Sequence, residues 1–230
     1  MKKRNWNKYA FELISIFVVV ISAFALNNWN DNRKEKNAES KILLEIYNGL
    51  EKDLIDVGQN IDGHEQGIKS CVFWRKVLRN ETVNLDSVQQ HYFILTRDFI
   101  SIQNTSGYET LKSRGFELVE NDILRSKIIS IYEFDYQTLR KLEEEYNEVQ
   151  FHQNYFEKIN NVIAPHLSFN QDGDILSMDL PLNISDVEKK VLLSYLWKIQ
   201  TNRRFVLNTY IDVQDHIKAL MADLDHELNK

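Results

Sequence analysis

Phe11-Glu12-Leu13-Ile14-Ser15-Ile16-Phe17-Val18-Val19-Val20-Ile21-Ser22-Ala23-Phe24-Ala25-Leu26 is the stretch that decides the fold, because a single charged residue, Glu12, interrupts it. A membrane-crossing helix needs about 20 predominantly apolar residues, so the run alone is short. Its flanks extend it. Trp6 and Tyr9 precede it and Trp29 follows it. At 1.5 Å per residue, Trp6 to Trp29 covers roughly 35 Å, close to the belt-to-belt distance of a bilayer. These residues predict a transmembrane helix over 10–29, with Trp6, Tyr9 and Trp29 as interface anchors. A cleaved signal peptide competes for the same residues: Lys2-Lys3-Arg4 makes an n-region and Ala23-Phe24-Ala25 fits an A-x-A cleavage pattern. A buried core helix fits less well, since a helix apolar all round would need the rest of the chain wrapped about it.

Each flank of the run carries four Lys/Arg: Lys2, Lys3, Arg4 and Lys8 before it, Arg33, Lys34, Lys36 and Lys41 after it. The count ties, but the first cluster is unmixed and sits on a short segment, which favours an inside N-terminus with the body outside. Beyond residue 41 the chain holds 20 basic against 30 acidic residues. A basic end beside an apolar run suits an anionic membrane surface, and so acidic a body lacks the electrostatic footprint of a nucleic-acid binder. Seven Gly and two Pro in 230 residues are too few turn residues for a many-stranded sheet. The lone Cys71 has no internal disulfide partner and reads as a small buried hydrophobe. The expected organisation is a cytoplasmic tail at 1–9, the transmembrane helix at 10–29, a charged juxtamembrane segment at 30–40 and a helical soluble domain at 41–230.

Within that domain, Leu43, Tyr47, Leu50, Leu54, Val57, Ile61, His64, Ile68, Cys71 and Arg75 recur at spacings of four and three, a heptad seam on a helix from about Ala38 to Arg79. Gly49, Gly58, Gly63 and Gly67 weaken this helix by roughly 1 kcal/mol each, so contacts must hold it, and they give room for a close neighbour. A shorter helical run covers about 86–101. Ser106 and Glu109 then read as a capping box, with Gly115 as the C-terminal cap. Asn121 or Asp122 caps a third long run with Leu124, Ile128, Ile131, Leu142, Tyr146, Val149, Phe156 and Ile163 on its apolar side, stopped by Pro165. Asp172-Gly173 fits the turn of a small β-hairpin, and Ser185 with Glu188 forms a capping box opening the last helix. The expected fold is all-α: an N-terminal transmembrane helix followed by an elongated antiparallel bundle, with that one hairpin.

The basic start, Glu12 just inside the apolar run, the junction Ala25-Leu26-Asn27-Asn28-Trp29-Asn30, the charged Asn32-Arg33-Lys34-Glu35-Lys36 and the stretch Gly107-Tyr108-Glu109-Thr110-Leu111-Lys112-Ser113-Arg114-Gly115 resemble a family of uncharacterised membrane-anchored proteins common in Bacteroidota, grouped as a domain of unknown function. The resemblance runs along the full length and implies a retained anchor and a bacterial envelope location; with the N-terminus inside, the expected location is the inner membrane with the body in the periplasm. It carries no activity. Val18-Val19-Val20 departs from it, standing where such sequences often have a Gly.

No cofactor or catalytic fingerprint is present: no P-loop, dinucleotide loop, nucleophile elbow or paired metal-ligand motif. Asp212 with His216, and Asp223 with His226, lie on one helix and read as a solvated stripe, short of the facing Glu-x-x-His pairs a di-iron bundle needs. Asn170-Gln171-Asp172-Gly173-Asp174 reads as a polar turn, lacking the distal Glu of a calcium loop. His64 stands at a seam position, either as a hydrogen-bonded core histidine or as a group whose charging would alter packing. Glu12 either complements the helix dipole in a first turn or pairs with a partner helix within the membrane. The expected function is a membrane-anchored extracytoplasmic interaction or sensory module, with a structural envelope scaffold or an enzyme without a recognisable motif as alternatives. Expected partners are the lipid bilayer and, if a seam of Leu43, Tyr47, Leu50, Leu54 and His64 is left wet, a second copy or another membrane protein; alternatively the last helix folds back antiparallel and covers that seam within one chain.

Overall fold

Residues 6–229 are described by a computed structural model, with side chains from Phe11 onward. Helix α1 runs unbroken from Trp6 to Leu78, 73 residues or about 110 Å. It therefore spans the apolar stretch, the polar junction and the first long helix of the body, where the sequence suggests separate segments and a tail reaching residue 9. The junction stays helical for a local reason: with no Gly or Pro between Asn27 and Lys36, side chains bond one turn away. Asn27 Nδ2 donates to Asp31 at 2.9 Å, and Lys34 lies 3.5 Å from the same carboxylate.

From about residue 38 onward α1 is the central strut of a bundle. Its antiparallel partner is α7 (Asp186–Leu228), opened by the expected capping box: Ser185 Oγ accepts from the Glu188 amide while the Glu188 carboxylate accepts from the Ser185 amide. The other side of α1 receives α2 (Val88–Leu95) and α3 (Ser106–Arg114). Next comes α4 (Asp122–Ser130), which continues through a π-turn at Ile131–Asp135 into α5 (Tyr136–Glu144). Helix α6 (Phe151–Ile163) follows, then the antiparallel hairpin β1 (Leu167–Phe169) and β2 (Ile175–Met178), turned at Gly173 with φ +89°.

The heptad seam is buried, but by this chain. Leu43, Leu50, Val57, His64 and Cys71, seven residues apart, are each no more than 2% exposed, while Tyr47 and Leu54 are partly buried against the same core. Of the two expectations for this seam, the wet interaction surface is corrected and the fold-back is the one found: α7 and its neighbours cover it, and those residues are intramolecular core. A second buried line runs along α1, Ile46, Asp53, Asn60, Gly67 and Trp74, of which only Gly67 is expected, as room for a close neighbour. Hydrophobic periodicity misses it because three of its five members are polar or lack a side chain.

Other expectations shift in detail. The Ser106/Glu109 capping box does not form; Thr105 is the N-cap and Ser106 the first helical residue. Asn121 caps α4 as expected, its Oδ1 accepting from the amides of Ile123 and Leu124, and Gly115 closes α3 at φ +98°. The single third run breaks between Glu145 and Gln150, leaving Tyr146 exposed. Val187 and Val191 are exposed because Gln200 already meets Arg75 near the end of α1, so the first turns of α7 run past that end and pack on α6, where Tyr195 lies 5.5 Å from Tyr155.

Candidate functional site

The apolar stretch stands bare. Phe11, Leu13, Ile16, Val19, Phe24 and Leu26 are each more than 60% exposed, and none of this stretch is buried among the described residues; it is long and apolar enough to cross a membrane. Trp29 is exposed, with the Arg33 guanidinium 5.2 Å from its ring centre. The side chains of Trp6 and Tyr9 lie outside the described residues. Glu12 stands six residues beyond the first described residue of α1 and therefore outside its first turn, which removes the dipole reading.

Inside the body, residues 96–105 form a strap between α2 and α3 with no helix or strand of its own. A buried backbone segment must satisfy its N–H and C=O groups. Here side chains do so. The Ser101 amide donates to Glu143 Oε1 at 3.1 Å, the Ile102 amide to Asp56 at 2.9 Å and the Asn104 amide to Asp53 at 2.8 Å. Asn60 Nδ2 donates to the Ile100 carbonyl at 3.4 Å, and Arg203 Nη2 reaches the carbonyls of Ile94, Leu95 and Arg97 at 3.3, 3.1 and 2.7 Å. The polar members of α1's second line are thus partners for strap backbone. Gly67 lacks a side chain because a Cβ there would fall within 3.0 Å of the Arg203 guanidinium.

Burial sets the electrostatics of this interior. It pushes the Glu143 carboxyl up to about 8, with Asp56 and Glu144 adding repulsion against the Ser101 bond, and the carboxyl also accepts from the Tyr210 hydroxyl. Asp53 is raised by burial too, opposed by its bonds from Tyr136 and Asn104. Desolvation pulls Arg203 down to about 10, so it stays a cation at neutral pH. His64 is 2% exposed and depressed to about 3 by burial and by that guanidinium, 3.4 Å from its Nδ1. Nδ1 accepts and Nε2 carries the proton: His64 is a neutral core histidine. The Cys71 thiol is raised to about 11 and buried, so it is no nucleophile at neutral pH. His216, on the stripe read as solvated, meets the buried Asp135 of the π-turn at 3.0 Å. Among the described residues no group of three or more His, Cys, Asp or Glu is placed to hold a metal ion.

At the end of the body farthest from the apolar stretch, the strap delivers Arg97 and Asp98 to a groove of about 1170 Å³ between α2, α6 and the hairpin. Trp74 Nε1 donates to the His91 carbonyl at 3.1 Å, fastening α2 to α1, and Gln89 donates to Asp174 at 3.2 Å, fastening the hairpin to α2. Asp98 caps α6: its carboxylate accepts from the Phe151 amide at 2.7 Å and the His152 amide at 3.3 Å. The groove is lined by Phe93, Phe156 and Phe169, all exposed, and by Ile175, with Arg97 and His152 along its edge. None of these residues is marked in the sequence by more than its apolar character, which reads as core; only the fold separates an exposed Phe from a buried one. No family model, curated protein or solved structure matches the chain.

Proposed function

We propose that this chain is a single-pass membrane protein whose helical body is a binding module outside the membrane, with the distal groove as its binding end. The observation that carries the reading is the continuity of α1: one helix holds both the bare apolar stretch and the central strut of the body. Each large apolar side chain left in water forgoes about 1.5 to 3 kcal/mol, so a bilayer around Phe11 to Leu26 supplies the missing cover. A retained anchor also fits this continuity better than a signal peptide, since cleavage after Ala25 would cut inside the rod. The unmixed Lys2-Lys3-Arg4 cluster supports an inside N-terminus, and the resemblance to membrane-anchored Bacteroidota proteins supports a bacterial envelope location. A solid core with an exposed, aromatic-lined groove supports binding over catalysis.

Alkaline carbonate washing followed by N-terminal sequencing tests the anchor: the full-length chain is expected in the membrane pellet, and a soluble form beginning at Leu26 refutes the reading. Protease added to spheroplasts tests the orientation. Digestion of the body is expected, and full protection with the outer membrane opened reverses it.

A further inference from the structure

We propose that the groove between α2, α6 and the hairpin is a binding site for an aromatic carboxylate. The proposal rests on reading the groove as the module's binding end and adds the chemistry of what enters it.

Three phenyl rings face the space, those of Phe93, Phe156 and Phe169. The His152 imidazole lies stacked on Phe156 with centroids 4.6 Å apart and planes 16° from parallel, which widens the flat aromatic wall. Such a wall favours a planar aromatic guest, because offset and edge-to-face ring pairs add about 0.5 to 1.5 kcal/mol beyond the area they bury. At about 1170 Å³ the groove is roomier than the roughly 300 to 1,000 Å³ of ordinary small-molecule sites, so a two-ring ligand fits without displacing protein.

Charge decides the polar end. Arg97 is exposed on the groove edge, its guanidinium 4.7 Å from the centre of the Phe93 ring, and no carboxylate among the described residues pairs with it. Its planar fork is therefore free to take a carboxylate while stacked on an aromatic face, the geometry in which arginine holds anions best. The His152 ring lines the same groove, held there by the bond from its amide to Asp98, whose carboxylate it also faces electrostatically; it makes no side-chain hydrogen bond among the described residues and offers a second donor. The two carboxylates of the groove do not cancel this. Asp98 spends its charge on the first amides of α6, and Asp86 stands at the opposite end of α2, roughly 16 Å from Arg97 along the helix.

The test uses the full-length chain in phosphatidylcholine nanodiscs, with empty nanodiscs as the reference, and isothermal titration with β-naphthoate. Saturable binding is expected, weakened at least about tenfold in Arg97→Gln, the loss of one charge-assisted hydrogen bond. The neutral β-naphthylmethanol is expected to bind more weakly and equally to both proteins, and Phe169→Ser to weaken both ligands. Arg97 is exposed, so an unchanged melting temperature certifies the fold of the variant. Equal β-naphthoate affinity in Arg97→Gln, tighter binding of β-naphthylmethylammonium, tighter binding of decanoate, or no saturable binding each overturns the proposal. Carbonate extraction reads the anchor and titration reads the groove, so failure of one is a result separate from failure of the other.

Discussion

Replacing Arg203 with Leu is the sharpest test of the strap. The guanidinium is fully buried, and the two N–H groups of its Nη2 serve the carbonyls of Ile94, Leu95 and Arg97. Two charge-assisted bonds are worth about 3 to 6 kcal/mol. The Phe151 ring, 4.2 Å from the guanidinium carbon, adds about 2 kcal/mol in a desolvated setting. Burial works the other way: the fall of the Arg203 pKa from 12.5 to about 10 corresponds to about 3 kcal/mol, which leucine recovers. The bonds win, leaving a net destabilisation of about 3 kcal/mol, a large share of the 5 to 15 kcal/mol typical of a folded domain. Because the orphaned carbonyls can reach water only if the strap lifts, the loss is local before it is global. Urea unfolding of the detergent-solubilised protein reads the energy, and amide exchange over residues 94–105 reads the place. An unchanged or raised midpoint, with strap amides as protected as in the parent, refutes the reasoning.

Gly67→Ala acts on the same contact from the opposite helix: its methyl displaces the guanidinium, and the same strap amides should lose protection, with about 1 to 3 kcal/mol of stability lost in urea. Glu143 gives a pH signature. Its folded pKa, about 8, lies above the ordinary 4.5, so its protonated form is favoured by folding; its contribution is full below about pH 4.5 and is lost as pH rises through about 8. Glu143→Gln should flatten the decline in unfolding midpoint between pH 5 and 9, and an unaltered slope would contradict the assignment. Leu43→Cys should give no disulfide-linked dimer in oxidised membranes, since position 43 is covered by its own chain; a strong dimer band from folded protein would restore the intermolecular seam.

The legible parts of this fold are those written in local chemistry. Ser185-x-x-Glu188, Asn121 and Asp172-Gly173 each set a cap or turn through neighbours a few residues away, and each is found where it was expected. The heptad seam was legible as a buried line and its cover only as one of two candidates, because a periodic apolar stripe is the same signal whether a second chain or the far end of its own covers it. Gly67 was legible as room for a close neighbour, though not that an arginine fills it, while Asp53 and Asn60 were illegible as core since their partners are backbone groups of a strap forty to fifty-one residues away in sequence. The groove failed for a related reason. Phe93, Phe156 and Phe169 come from three separate elements, and only the tertiary arrangement makes them one exposed surface.

The unbroken α1 makes angle a sequence-encoded quantity. Between Leu26 and the start of the bundle near residue 38 the helix carries no turn, glycine or proline that could absorb a twist. Each residue added there would swing the groove about 100° around the helix axis and raise it about 1.5 Å, while seven residues would return it to within about 20° of its starting bearing, some 10 Å higher. A partner that grips only the groove would ignore such insertions. One that also reads the membrane segment, for instance the face bearing Glu12, would respond with the period of a helix, so the length of the stalk works as a compass setting as much as a spacer.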